Sequence, residues 1–230
     1  MVIRRVELQA AGAKGADLER FYRDELGFPV VEAPSDGLAL TAGPTVVEFR
    51  SAAGGEPFYH FALRVPRNRF DAAKAWLGAV TPLLAEQGSD ETTFDFDNWN
   101  AVACYGHDPC GNIVELIAHR ELPEESTRQG AFGAEELLGV CEIGLVGPET
   151  RAMASALAPL GIGLWDGELD PGRLAFMGGR DGVLILASEG RGWLPTGRPA
   201  EPHPVAVEAA GGREDEALLA GRHRVRTVRP

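Results

Sequence analysis

The stretch 110–119, CGNIVELIAH, sets a tight turn before an apolar strand with a carboxylate at its centre. Asp108, Pro109 and Gly111 are turn formers around Cys110, each with a backbone reason for being there. Side chains alternate across a strand. Glu115 and His119 therefore point one way, and Val114, Leu116 and Ala118 the other. A charged Glu in an apolar layer is costly unless something pairs with it. Glu115 needs a partner on its own face.

Three further strand-like segments divide in the same way. In 3–10, Arg5, Glu7 and Gln9 share a face opposite Val6 and Leu8. In 45–50, Glu48 and Arg50 oppose Val47 and Phe49. In 58–65, FYHFALRV, His60 and Arg64 oppose Phe61, Leu63 and Val65. One face suits packing against helices, and the other carries ionisable groups. Parity alone fits two arrangements. The polar face is simply solvated, as on many antiparallel sheets, or a curved sheet gathers the groups into a cleft where His and Glu are metal-ligating types.

The segments also repeat in order. A strand at 3–10 leads to a helix at 16–26, ADLERFYRDEL, closed by Gly27. Strands at 29–32, 37–41 and 45–50 follow, separated by Pro34, Ser35, Asp36, Gly43 and Pro44. The second copy runs through a strand at 58–65, a helix at 69–77, a short strand at Leu83, and strands at 101–106 and 112–118. The polar, aromatic stretch 88–100 reads as a loop or ragged strand. After the charged segment 121–133, a third copy has a strand at 140–146, a helix at 149–160, and strands near 163–166, 173–177 and 182–187. A shortened fourth copy is expected as strand 203–209, helix 214–220 and strand 223–228.

Composition narrows the partners. The 230 residues carry a formal net charge of −12, which disfavours nucleic acid as a partner, because phosphate contacts need clustered Lys and Arg. Three cysteines (Cys104, Cys110, Cys141) give no CxxC spacing and no disulfide framework. Cys104 and Cys141 read as core. No apolar run approaches bilayer length, and the opening MVIRRVELQA is a strand pattern rather than a leader. A cytoplasmic protein with no membrane partner is the expectation.

The segments LERFYRDELGF (18–28), FYHFALRV (58–65) and YGHDPCGNIVELI (105–117), in this order and spacing, resemble the vicinal oxygen chelate superfamily. That group holds glyoxalase I, extradiol dioxygenases, methylmalonyl-CoA epimerase and bleomycin-resistance proteins. The resemblance implies an α+β fold: repeated βαβββ modules forming curved mixed sheets around a cleft, with helices outside. It implies a glyoxalase-like domain of two modules over 1–120, a linker at 121–133, and a second, degenerate domain over 134–230 with one full and one truncated module. It leaves open whether modules pair within one chain or across a homodimer.

The resemblance also implies a divalent metal (Fe, Zn, Ni or Mn) held from the first and last strands of paired modules. Carried over by position, the ligands are His60, Glu115 and Glu48, with Glu48 and Glu115 as catalytic carboxylates. The remaining ligand position is Arg5, and arginine does not ligate metals. Three readings of Arg5 stand together. Glu7 on the same face replaces the missing ligand, or Arg5 pairs with Glu48 or Glu7, or its planar fork binds an acidic substrate. Arg5, Gln9, Arg64, Trp99, Asn100 and Tyr105 are the expected substrate-binding residues, with Asn98 beside them. In the second half Glu142 falls where a ligand can stand, but VLIL (183–186) has no carboxylate and Pro204 replaces the equivalent of His60. That half reads as structure or as a wall of the pocket. Three readings follow: a metal-dependent lyase, isomerase or ring-cleaving dioxygenase acting on a small oxygenated substrate, a protein that binds and sequesters a small molecule without turnover, or a metal-free, degenerate member whose Arg5 and carboxylates form only a salt-bridge network.

Overall fold

A computed structural model describes residues 1–33, 37–86 and 88–229. The expected turn at Pro34, Ser35 and Asp36 lies outside the described residues. The chain forms four consecutive units. The first holds β1 (Val2–Ala10), α1 (Gly15–Glu19), β2 (Val30–Val31), β3 (Leu38–Ala42) and β4 (Thr45–Ser51). The second holds β5 (His60–Arg64), α2 (Phe70–Gly78), β6 (Phe94–Phe96), β7 (Ala101–His107) and β8 (Ile113–His119). The third holds β9 (Gly139–Gly147), α3 (Thr150–Leu157), β10 (Leu164–Gly167), β11 (Ala175–Gly179) and β12 (Gly182–Ser188). The last holds β13 (Ala206–Ala210), β14 (Asp215–Leu219) and β15 (His223–Val228).

The expected α+β fold of repeated modules and curved mixed sheets is present. Each unit contributes a helix-side face to one large core. Leu18, Phe21, Tyr22 and Leu26 bury one side of the first helix, which passes from α1 into π-helical turns over Arg20–Glu25. Gly27 ends it at φ 74°, a left-handed conformation that glycine adopts without a Cβ penalty. Val6, Leu8, Phe61, Leu63, Val114, Leu116, Ile143 and Leu145 meet these helices from the strands.

Two expectations need correction. The fourth unit has no helix at 214–220, because Asp215–Leu219 is strand β14, antiparallel to β15. Few residues separate the turns that flank it, and a helix that short is marginal. Ala220 and Gly221 both take positive φ (49° and 67°), the backbone that suits a tight hairpin.

The second correction concerns pairing. One sheet has the order β14-β15-β13-β1-β4-β3-β2 and the other β10-β11-β12-β9-β5-β8-β7-β6. The first unit thus shares a sheet with the last, and the second with the third. Residues 1–120 do not close one cleft by themselves. The free edge of β1 meets β13 antiparallel, and that of β5 meets β9. Every unit begins with a strand of the same pattern, so nothing local says which edge meets which. The segment 121–133 carries the chain from β8 back beside β5. Arg69 anchors its far end, donating two hydrogen bonds to Glu136 (both 2.9 Å) and others to the carbonyls of Gly130 and Ala131. Thr45 Oγ1 joins the two sheets, donating to Ile3 O (2.8 Å) and accepting from Val140 N (3.1 Å).

Candidate functional site

The turn before Glu115 is rigidly built. Asp108 is buried and accepts from Cys110 N, Asn112 N, Asn112 Nδ2 and Tyr22 Oη. Asn112 Oδ1 accepts from Tyr59 N, one residue before His60. The turn therefore holds the starts of β5 and β8 together and sets their register, with His60 opposite Ile113 and Ala62 opposite Glu115. Burial raises the Asp108 carboxyl, and its donors oppose the shift.

Glu115 finds its partners on the concave face of this sheet. His60 Nε2 lies 2.9 Å from Glu115 Oε2, and Tyr105 Oη donates to Oε1 at 3.1 Å. A carboxylate only accepts, so Nε2–H is the donor, and the buried Nδ1 of His60 has no hydrogen-bond partner. Burial, followed by the charges of Glu115 and Glu142, pushes the Tyr105 phenol well above its usual range.

Glu142 reaches the same cavity from β9. Ala62 pairs with Glu142 but Leu63 pairs with Val140, leaving Cys141 as an extra residue. This bulge puts Val140 in the helix-side core and turns Glu142 to the concave side. The Glu142 side chain is only 3% exposed and makes no hydrogen bond among the described residues. Burial, and then the nearby Glu115 carboxylate, raise its pKa well above the ordinary value.

The cavity has a volume of about 110 Å³. Tyr105, Trp99, Phe96, Phe176 and Trp193 supply aromatic walls, with Leu174, Ile185 and Leu194. The Trp193 ring lies 5.2 Å from the His60 ring. Trp99 packs edge-on against Phe176 (4.6 Å) and beside Trp165 (4.7 Å), and its indole N–H donates to Asp166. Asn98 donates to the same carboxylate. The second unit is thereby closed onto the third at the cavity's edge. Chemically, the floor presents an imidazole, a phenol and two carboxyl groups within a largely apolar enclosure.

The expected site residues divide between the two sheets. His60, Glu115, Trp99 and Tyr105 line this cavity, joined by Glu142 and Asn98. Arg5, Glu7 and Glu48 lie in the other sheet. There Arg5 and Arg50 both pair with Glu48, and Arg50 also pairs with Glu7 (2.8 Å). The four-residue metal set His60, Glu115, Glu48 and Glu7 is therefore not assembled, because its members belong to sheets built from different units. Gln9 lines a groove with Arg222 and Arg224. Arg64 pairs with Asp181 (3.0 Å) and Glu124. Asn100 is exposed in a left-handed turn at φ 47°. None of these three lines the cavity. Asp166 was not singled out from the sequence; no periodicity there hints that a strand of the third unit would face Trp99.

No protein-family model matches the chain, and no curated protein matches it by sequence. Solved structures do. A Bacillus subtilis protein proposed to be a dioxygenase aligns with 100% of this chain and 86% of its own, at 15% identity and a TM-score of 0.64. A point mutant of glyoxalase I from Zea mays aligns over 99% and 92% of the two chains, at 14% identity and a TM-score of 0.58. Another Zea mays glyoxalase I structure gives 90% and 74%, at 16% identity and 0.55. The chain shares its fold with these dioxygenase-like and glyoxalase I structures.

The sequence resemblance implies a metal at the first and last strands of two paired units. In the β5–β9 sheet those register positions are His60, Glu115, Glu142 and Ile185, since Ile185 pairs with Gly144 as Glu115 pairs with Ala62. In the other sheet they are Arg5, Glu48, Ala206 and Arg226. His60 and Glu115 bond to each other, and Ile185 offers no donor. Among the described residues no three His, Cys, Asp or Glu side chains form a group able to hold a metal ion. The residues as placed do not fit a resident metal.

Proposed function

We propose that this protein binds a small, planar organic molecule in the cavity between β5, β8, β9 and β12, and sequesters it without metal-dependent turnover. The observation that carries this reading is the enclosure: five aromatic side chains surround a floor whose polar groups are His60, Glu115, Tyr105 and Glu142. Apolar walls with a few convergent polar groups are the usual composition of a small-molecule site. The volume suits a ligand of roughly one ring, comparable to cavities that admit benzene. Aromatic faces supply contact area, and the floor sets orientation through hydrogen bonds.

A panel of single-ring fragments tests the reading by thermal shift and tryptophan emission. A ligand at about one hundred times its Kd stabilises the fold by about 2.7 kcal/mol, and Trp99 and Trp193 report its arrival. Ile185→Phe, which fills the cavity, is expected to abolish both responses. The reading fails if no fragment shifts the wild type. It also fails if purified protein carries stoichiometric metal that both His60→Ala and Glu115→Ala remove.

A further inference from the structure

The two sheets of this chain are built on one plan, and their clefts differ in a consistent way. In the first sheet Glu48, at the last-strand position, is fully buried and receives the guanidinium groups of Arg5 and Arg50. Arg226 stands at the matching place on β15, across from Glu208. The register of the second sheet converts each of these positions. Glu48 corresponds to Glu115, Arg5 to His60, Arg50 to Ile117 and Arg226 to Ile185. The carboxylate is kept and every guanidinium is gone. A second carboxylate, Glu142, is added where the first sheet has Ala206.

The second cleft thus has the acid of an ion-pair network without its built-in cations. Among the described residues three carboxyl groups line the cavity, those of Glu115, Glu142 and Asp166, and no Lys or Arg does. Glu115 is held by His60 and Tyr105, and Asp166 by Trp99 and Asn98. Glu142 is the remaining one. It is buried, faces the cavity, and has no hydrogen-bond partner among the described residues. A buried carboxyl group without a partner is costly, and a cationic N–H donor is its strongest complement. The aromatic walls add to this, because ring faces attract cations.

We propose that the cavity is a site for a planar organic cation, a protonated amine or amidine, whose N–H groups bond Glu142 while its apolar body lies between Trp99, Phe176 and Trp193. The cation binds the ionised form of Glu142, whose proton leaves to solvent on binding, and so takes the place that arginine occupies in the first sheet. This deepens the small-molecule reading and rests on it.

Benzamidine, benzamide and benzoate share one planar shape and carry a positive, zero and negative charge. Their binding is compared by calorimetry with EDTA present throughout. Benzamidine is expected to bind about tenfold or more tighter than benzamide, a difference of about 1.4 kcal/mol, and benzoate not at all. Glu142→Gln is expected to erase the preference for benzamidine over benzamide. Glu48→Gln, in the other sheet, leaves it unchanged. Benzamide binding as tightly as benzamidine overturns the cation proposal while leaving a small-molecule site in place. Binding of none of the three overturns it as well, and a response to other fragments then separates its failure from that of the broader reading. Should Glu142→Gln fail to fold, the wild-type charge series decides alone.

Discussion

Glu48 and Glu115 occupy the same register position in two different sheets. Glu48 pairs across β4 and β1 with Glu7, and Glu115 across β8 and β5 with Ala62. Both side chains are buried. One is neutralised by two arginines, the other is bonded to an imidazole and a phenol beside an open cavity. The same local pattern, a carboxylate in an apolar last strand, has become an ion-pair centre in one half of the molecule and a pocket floor in the other.

Removing the ion-pair centre should cost stability and nothing else. Glu48→Gln leaves Arg5 and Arg50 without their shared acceptor. Both arginines are more than a third exposed, and solvent screens them, so the expected loss is about 1–2 kcal/mol. Urea denaturation reads this as a lower midpoint at unchanged slope. An unaltered midpoint would mean the network holds the fold no better than water does.

The pH dependence of Glu142 has a definite sign. Its native pKa is raised by burial and by Glu115, so the folded state keeps a proton that the unfolded chain gives up above about pH 4.3. Stability from this group therefore falls as pH rises from there toward the native pKa. Glu142→Gln removes the titration. Relative to wild type, the variant should gain stability as pH rises above about 4.3, measured by melting temperature in matched buffers. A difference that stays constant with pH is the contrary result.

Glu136 behaves in the opposite sense. The hydrogen bonds from Arg69, with that of Ser126, hold its carboxyl below the usual range. Its contribution is present above the unfolded value, about pH 4.3, and is lost as pH falls through the native pKa. The stability gap between wild type and Glu136→Gln should be widest near neutrality and close as pH falls through the lowered native pKa. The segment 121–133, tied down through Arg69 and Ser126, should also become cleavable by trypsin in the variant. Equal protection in both proteins would show that other contacts hold it.

Gly144 supports the cavity wall. A Cβ there would meet Trp193 Cη2 at 2.8 Å and Cζ2 at 3.0 Å, and the indole is a large rigid ring that is itself buried. Gly144→Ala is expected to destabilise by about 1–3 kcal/mol through overpacking and to shift tryptophan emission as Trp193 moves. Wild-type emission with wild-type stability would mean the wall yields without cost.

Much of this was legible along the chain. Strand parity correctly turned Val114 and Leu116 to the helices and Glu115 away from them, because a buried face leaves a period-two record in the sequence. Glu142 was half legible. Read from Ile143 and Leu145 it faces the cleft; read from Val140 it does not, because the bulge at Cys141 shifts the phase. The segment 214–220 misled because the five residues Asp215–Leu219, of helix-favouring composition, carry no information about the strand they pair with.

The sequence by itself determined the repeating unit, the polar faces of the strands at 3–10, 45–50, 58–65 and 112–118, and an arginine at the position where the resemblance implies a metal ligand. These are local properties, written in alternation and residue type. Only the tertiary structure decided which units share a sheet. Pairing depends on edge-to-edge hydrogen bonds between strands of nearly identical pattern, and such bonds leave no mark on side-chain chemistry. That choice separated Glu48 from Glu115 and brought Glu142 and Trp193 around His60 instead.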